Sequence, residues 1–285
     1  DAYEDQIDRA AENIRNADCV IIGAGAGAST AAGIQYGGKR FTDNFAEFIK
    51  KYGGHYMTDM YAAGFYPYPS EEAKWGYWSK HALMNRFDPL ALPLYTRLYD
   101  IVKGKEYFVL TTNVDHQFYK AGFDEKRIFA TQGDYGKIQC QKACHPKTYD
   151  AEDLFRKMDK TRKDCLIPSE LVPKCPVCGG NMAMNLRCDN YFVEDEAWHE
   201  AADRYADFLE QNKDKKVVLL ELGVGFNTPI IIRFPFEKMV RENSSYSLIR
   251  LNMDEAVVPE SFGKRAIGIG GNMAEAITDI RRLVL

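Results

Sequence analysis

Residues 19–34 read CVIIGAGAGASTAAGI: a short apolar run, a glycine cluster, then small residues able to start a helix. Strand, glycine turn and helix in that order constrain the fold strongly. Glycine lets the backbone turn sharply and lets a neighbour or a phosphate approach it closely. A helix starting behind the turn offers unsatisfied N–H groups and the positive end of its dipole to an anion. Gly23, Gly25 and Ala28 fit the form G-x-G-x-x-G/A, and Asp43 lies where a ribose-binding acid is expected in such folds. Taken alone, the turn suits a dinucleotide enzyme of any kind, dehydrogenases included.

Further apolar runs at 107–111, 127–130, 217–222, 246–251 and 266–269 read as strands, and helical patterns fill 89–102, 197–211, 228–241 and 273–283. Alternation of this kind predicts an α/β fold: a Rossmann-like, mostly parallel sheet with helices on both faces. The expected organisation is one domain over 1–285, its core at 19–130 and 190–285, with a helical subdomain inserted at 36–85 and a separate cysteine-bearing module at 135–189. Residues 36–78 carry 13 aromatics, from Tyr36 to Trp78; they read as a small subdomain with an aromatic core, or as a wall over a ligand. The charged stretch 150–164 reads as a solvated helix.

The formal net charge of −4 argues against a general nucleic-acid binder. No apolar run approaches the roughly 20 residues that a membrane helix needs, and the opening DAYEDQIDRA does not resemble a secretory signal. A soluble, cytoplasmic protein is expected.

Four of the seven cysteines form two close pairs, Cys140-x3-Cys144 and Cys175-x2-Cys178. Two such pairs suit tetrahedral Zn²⁺, and four protein ligands leave no open position, so the metal is expected to be structural. His145 is a substitute ligand. Cys19 reads as a small buried hydrophobe.

The order of these features resembles the sirtuins, NAD-consuming deacylases and ADP-ribosyltransferases. Gly25-Ala26-Gly27-Ala28-Ser29 through Gly33-Ile34 matches the family's GAGxSxxxGI loop; Asn113-Val114-Asp115 matches the end of its TQNxD motif, with Thr112 in place of Gln. The four cysteines match its zinc site, Gly223-Val224-Gly225-Phe226-Asn227 stands where the family has GTSL, and Leu251-Asn252 matches a strand-end Asn that contacts the adenosine ribose. The resemblance implies NAD cleaved at its nicotinamide bond. It implies Gly25, Ala26, Gly27, Ser29, Gly33, Tyr36, Gly223, Val224, Gly225, Asn227 and Asn252 as cofactor-binding residues.

Two departures set the chain apart. After Ile34 the family's PDFR is replaced by Gln35-Tyr36-Gly37-Gly38, and its catalytic His by Gln132 of Ala130-Thr131-Gln132-Gly133. A glutamine amide takes no proton near neutral pH and cannot serve as a general base. This combination resembles the class M, macrodomain-linked sirtuins, which implies protein ADP-ribosyl transfer to a lipoylated glycine-cleavage-H-like carrier, reversed by a macrodomain protein. Asn113, Asp115 and Gln132 are then the expected catalytic residues, holding the nicotinamide ribose, the carboxamide and the acceptor. Two alternatives compete: a lysine deacylase using His116 or water as base, and a non-catalytic NAD or ADP-ribose sensor.

Overall fold

The computed structural model describes residues 2–285. Its strands, numbered along the chain, are β1 (Cys19–Ala24), β2 (Glu106–Thr111), β3 (Ile128–Ala130), β4 (Gly133–Cys140), β5 (Thr148–Asp150), β6 (Met182–Leu186), β7 (Val217–Leu222), β8 (Tyr246–Asn252) and β9 (Ala266–Gly270). Two compact units emerge. One comprises the chain through Gly33 with Ala91–Gln132 and Ala197–Leu285; the other comprises Ile34–Leu90 and Gly133–Glu196.

The first unit carries a parallel sheet of order β3-β2-β1-β7-β8-β9. Alternate side chains of a strand face opposite ways, so a strand covered on both sides must be apolar throughout. All six residues of β1 are buried. Val20 and Ile22 join a core with Ile7, Leu98 and Ile277, from helices Ala2–Asn16, Pro93–Val102 and Met273–Val284. Cys19 and Ile21 join the opposite core with Phe208 and Phe236, from helices Glu196–Gln211 and Arg233–Glu242. The expected parallel sheet with helices on both faces is what forms. Strand order reverses between β1 and β7, and ligands of open parallel sheets bind at the carboxyl ends around such a point.

Two helices start later than their sequence patterns suggest. Leu92 is extended, with ψ 147°, because Pro93 disfavours helical geometry in the residue before it. The helix expected at 228–241 is Arg233–Glu242; Pro235, lacking an N–H, fits only within a helix's first turn.

In the second unit Phe41, Phe45, Phe48, Met57, Met60 and Tyr77 pack together as an aromatic core. The charged stretch folds as helix Glu152–Thr161, turning Phe155 and Met158 inward. Its antiparallel sheet, β5-β4-β6, was not anticipated from the sequence. Buried polar residues break the apolar alternation there: Asn185 Nδ2 donates to Gln139 Oε1 (2.8 Å), which also accepts the Val193 amide (2.9 Å).

His81 is fully buried among Tyr36, Tyr77, Trp78 and Tyr135. Tyr77 has one proton, and Met60 O (3.0 Å) can only accept it. His81 Nδ1 therefore donates to Tyr77 Oη (2.7 Å), and Nε2 carries no proton and no partner. Burial, aided by the positive charge of Arg40, holds its pKa down at about 3. The folded state thus refuses a proton that the unfolded chain accepts near pH 6.5. The His81 contribution to stability is level above that pH and falls by about 1.4 kcal/mol per unit on acidification below it. Thermal melts of wild type and His81→Phe between pH 7 and pH 5 check this. The variant's profile is expected to be the flatter by one proton; equal slopes contradict the assignment.

Candidate functional site

The glycine loop leaves β1 at its carboxyl end and packs directly on the loop that leaves β7. Gly25 N donates to Leu222 O (2.9 Å), Gly27 N to Gly223 O (3.0 Å) and Ala28 N to Gly25 O (3.1 Å). These three amides face protein, so the glycines act by allowing close approach rather than by offering those N–H groups to an anion. A Cβ on Gly27 would lie 2.8 Å from Gly223 Cα, and one on Gly25 2.8 Å from Gly223 O. Gly223 sits at φ +64°, where a Cβ would come within 2.3 Å of Ala28 N. Two backbones thus meet without side chains between them and form a bare floor at the switch point. Gly33 instead ends a helix. At φ 113° it caps Ala26–Ala32, its amide bonding to the Ser29 and Thr30 carbonyls.

Ser29 and Asp115 are buried, and Ser29 Oγ donates to the Asp115 carboxylate. With that proton committed, Tyr95 Oη must be the donor to Ser29 Oγ (2.5 Å). Asn113 Nδ2 donates to Gly25 O (2.9 Å) and reaches Tyr95 Oη at 3.5 Å. The chain Asn113–Tyr95–Ser29–Asp115 fixes Asn113 and Asp115, two of the three expected catalytic residues, to the glycine loop. Tyr95 was not anticipated; on helix Pro93–Val102 its place in the apolar repeat reads simply as core. His116 has left-handed φ 67°, and its ring stacks on Tyr119 at 4.2 Å.

Gln132 follows β3. Its Nε2 donates to Thr131 Oγ1 (3.0 Å), and Thr131 is tied to β2 through Thr111 O (3.0 Å) and to helix Glu196–Gln211 through Trp198 Nε1 (3.1 Å). Asn252, at the end of β8, donates from Nδ2 to Val224 O (3.1 Å), and its Oδ1 accepts the amides of Asp254 and Glu255. It joins the loops after β7 and β8. Asn227 is exposed. Below the β7 loop, Glu221 pairs with Arg250 (2.6 and 3.0 Å), its register partner on β8. Burial pushes the Glu221 carboxyl up, against the pull of Arg250 and Arg233.

Asp43 does not stand at a strand end. It lies on helix Gly38–Asn44, exposed and paired with Lys39 (3.0 Å), because the strand beside β1 comes only at residues 106–111. In the second unit Tyr36 Oη bonds to Tyr135 Oη.

The cysteine quartet closes in the second unit, all four sulfurs lying within 4.8 Å of one another. The Cys144–Cys175 and Cys140–Cys178 sulfurs are 3.5 and 3.7 Å apart. Tetrahedral zinc with bonds of about 2.3 Å sets its sulfurs about 3.8 Å apart, so the quartet fits. Backbone amides of Val177 and Cys178 point at the Cys175 sulfur (3.4 and 3.5 Å), and that of Gly180 at Cys178 (3.4 Å), as thiolate charge requires. His145 is no ligand here: Nδ1 sits 3.1 Å from the Cys144 sulfur and Nε2 bonds to Tyr149.

No protein-family model matches the chain. Among solved structures it resembles a Sir2 homolog–NAD complex, with TM-score 0.61 and 16% identity over 97% of this chain and 94% of that one. It also resembles Sir2Af2 bound to a myristoylated histone peptide, with TM-score 0.54 and 16% identity over 99% and 97% of the two chains. Both likenesses show the fold. A probable bifunctional ADP-ribose hydrolase/ADP-ribosyltransferase of Fusarium oxysporum f. sp. cubense is 33% identical over 88% of this chain, which spans 43% of that longer protein. A protein ADP-ribosyltransferase of Staphylococcus aureus strain Mu50 is 38% identical over 270 residues, 94% of this chain and 85% of that one. The chain belongs to the protein ADP-ribosyltransferase family and carries the sirtuin fold.

Proposed function

We propose that the protein transfers ADP-ribose from NAD to a protein acceptor and releases nicotinamide. The proposed acceptor is a lipoylated glycine-cleavage-H-like carrier, in the manner of the class M sirtuins, with a macrodomain protein removing the mark. The Fusarium relative, named for both a hydrolase and a transferase, supports the pairing of the two activities.

The observation that carries this reading is Gln132 in the turn just after β3, an amide hydrogen-bonded to Thr131 where deacylation needs a base. A carboxylate acceptor is already ionised and needs none. Its oxygen bonds to ribose C1′ as the C1′–nitrogen bond breaks, and the bonding electron pair leaves with neutral nicotinamide. Positioning and electrostatics suffice for such a step. Asn113 and Asp115 hold the nicotinamide ribose and carboxamide, and Gln132 orients a ribose hydroxyl or the acceptor. The Gly25–Ser29 and Gly223–Asn227 backbones receive phosphates and ribose, with Asn252 on the adenosine side.

Asn113→Ala is expected to lower nicotinamide release with the carrier about 100-fold or more, while the melting temperature stays near wild type. Release at the wild-type rate contradicts the assignment of Asn113.

A further inference from the structure

Arg233 opens its helix almost wholly buried, at 1% exposure. Its NH1 donates to Val224 O (2.9 Å) in the loop after β7 and to Glu255 O (3.0 Å) in the loop after β8; NH2 reaches Val257 O at 3.4 Å. The guanidinium carbon lies 4.0 Å from the centroid of Phe226, in the first of those loops. Val224 O is also the acceptor of Asn252, and Val257 O that of Arg250 (2.7 Å). The Glu255 carboxylate reaches back to the amide of Phe226 (3.1 Å).

A buried, paired arginine adds little net stability compared with a hydrophobe of similar size. What the planar five-donor fork does offer is fixed geometry. Here it is directed at the carbonyls of two loops, Val224 O in one and Glu255 O and Val257 O in the other. Lysine keeps the charge opposite Glu221 (3.9 Å), but its single nitrogen on a flexible stem cannot stand at both the NH1 position, which serves Val224 O and Glu255 O, and the NH2 position, which serves Val257 O.

We infer that Arg233 is the positioning residue for the adenosine end of the NAD site, clamping the loops after β7 and β8 in the arrangement that receives it. This rests on the NAD-dependent reading above. The substitution Arg233→Lys is expected to raise KM for NAD about 10-fold or more, with kcat within about 3-fold, as befits loss of charge-assisted hydrogen bonds that act on binding. The dissociation constant for ADP-ribose should rise by the same factor, and amide hydrogen exchange should speed up in 223–227 and 253–258 alone. Glu255→Ala removes the carboxylate bond to the Phe226 amide and leaves Arg233 and its three carbonyl partners in place, so it keeps the test of the loop-to-loop clamp open if the lysine variant does not fold; its KM should rise about 3-fold. A purely structural role predicts a smaller active fraction, with lower kcat and unchanged KM. Unchanged KM and ADP-ribose affinity in a folded variant overturn the inference while leaving the transferase reading intact. A wild-type protein that neither binds ADP-ribose nor releases nicotinamide overturns both.

Discussion

Gly223→Ala is expected to remove NAD turnover and to destabilise the first unit by about 2–4 kcal/mol. A left-handed φ of +64° costs a non-glycine residue about 1–2 kcal/mol on its own. Steric contact costs more: the new Cβ would meet Ala28 N at 2.3 Å, Gly27 C at 2.5 Å and Gly27 Cα at 2.6 Å, all backbone atoms that cannot rotate away. The loops after β1 and β7 must separate, and the floor they form opens. Gly104→Ala is the control, since no heavy atom lies within 4 Å of a Cβ built there and its φ is not left-handed. The expected pattern is a lowered melting temperature and a KM for NAD raised beyond measurement in Gly223→Ala, with Gly104→Ala unchanged. A Gly223→Ala protein that melts and turns over like its parent contradicts the loop-on-loop geometry.

Loss of the zinc site is the second large effect. Structural zinc in small four-ligand sites contributes about 10–16 kcal/mol of apparent binding energy at neutral pH, which is also folding energy. Cys175→Ser removes one of four thiolates and the sulfur to which two amides are directed. The purified wild type is expected to hold one equivalent of zinc per chain, and the variant almost none. The variant should expose the second unit to proteolysis at temperatures where wild type resists. Cys188→Ser, outside the quartet, should keep its zinc. A wild type that holds no metal, or a Cys175→Ser protein as resistant as wild type, contradicts a structural role.

Legibility in the sequence followed the range of the interactions. The zinc quartet and the glycine turn are written in short spacings and could be read directly. The central strands could be read because burial on both faces makes them predominantly apolar. The chain Asn113–Tyr95–Ser29–Asp115 joins three separate segments, and Tyr95 gave no sign beyond a place in a helical repeat. Arg233 was hidden for the same reason, although a clue was present: Glu221 and Arg250 interrupt apolar strands with opposite charges. Only the strand register, which places them side by side, turns that clue into a buried network. The sheet β5-β4-β6 was illegible because Gln139 and Asn185 satisfy each other inside it and erase the alternation.

The most direct test of ADP-ribose transfer to a protein acceptor incubates the protein with NAD and, in parallel, a glycine-cleavage-H-like carrier with and without lipoyl groups and an acetyl-lysine peptide. Intact masses and released nicotinamide are then read together. The expected result is a gain of one ADP-ribose on the lipoylated carrier, matched mole for mole by nicotinamide, with the acetyl peptide unchanged. Loss of the acetyl group from the peptide with no gain on either carrier would contradict it, because Gln132 would then stand in a working deacylase.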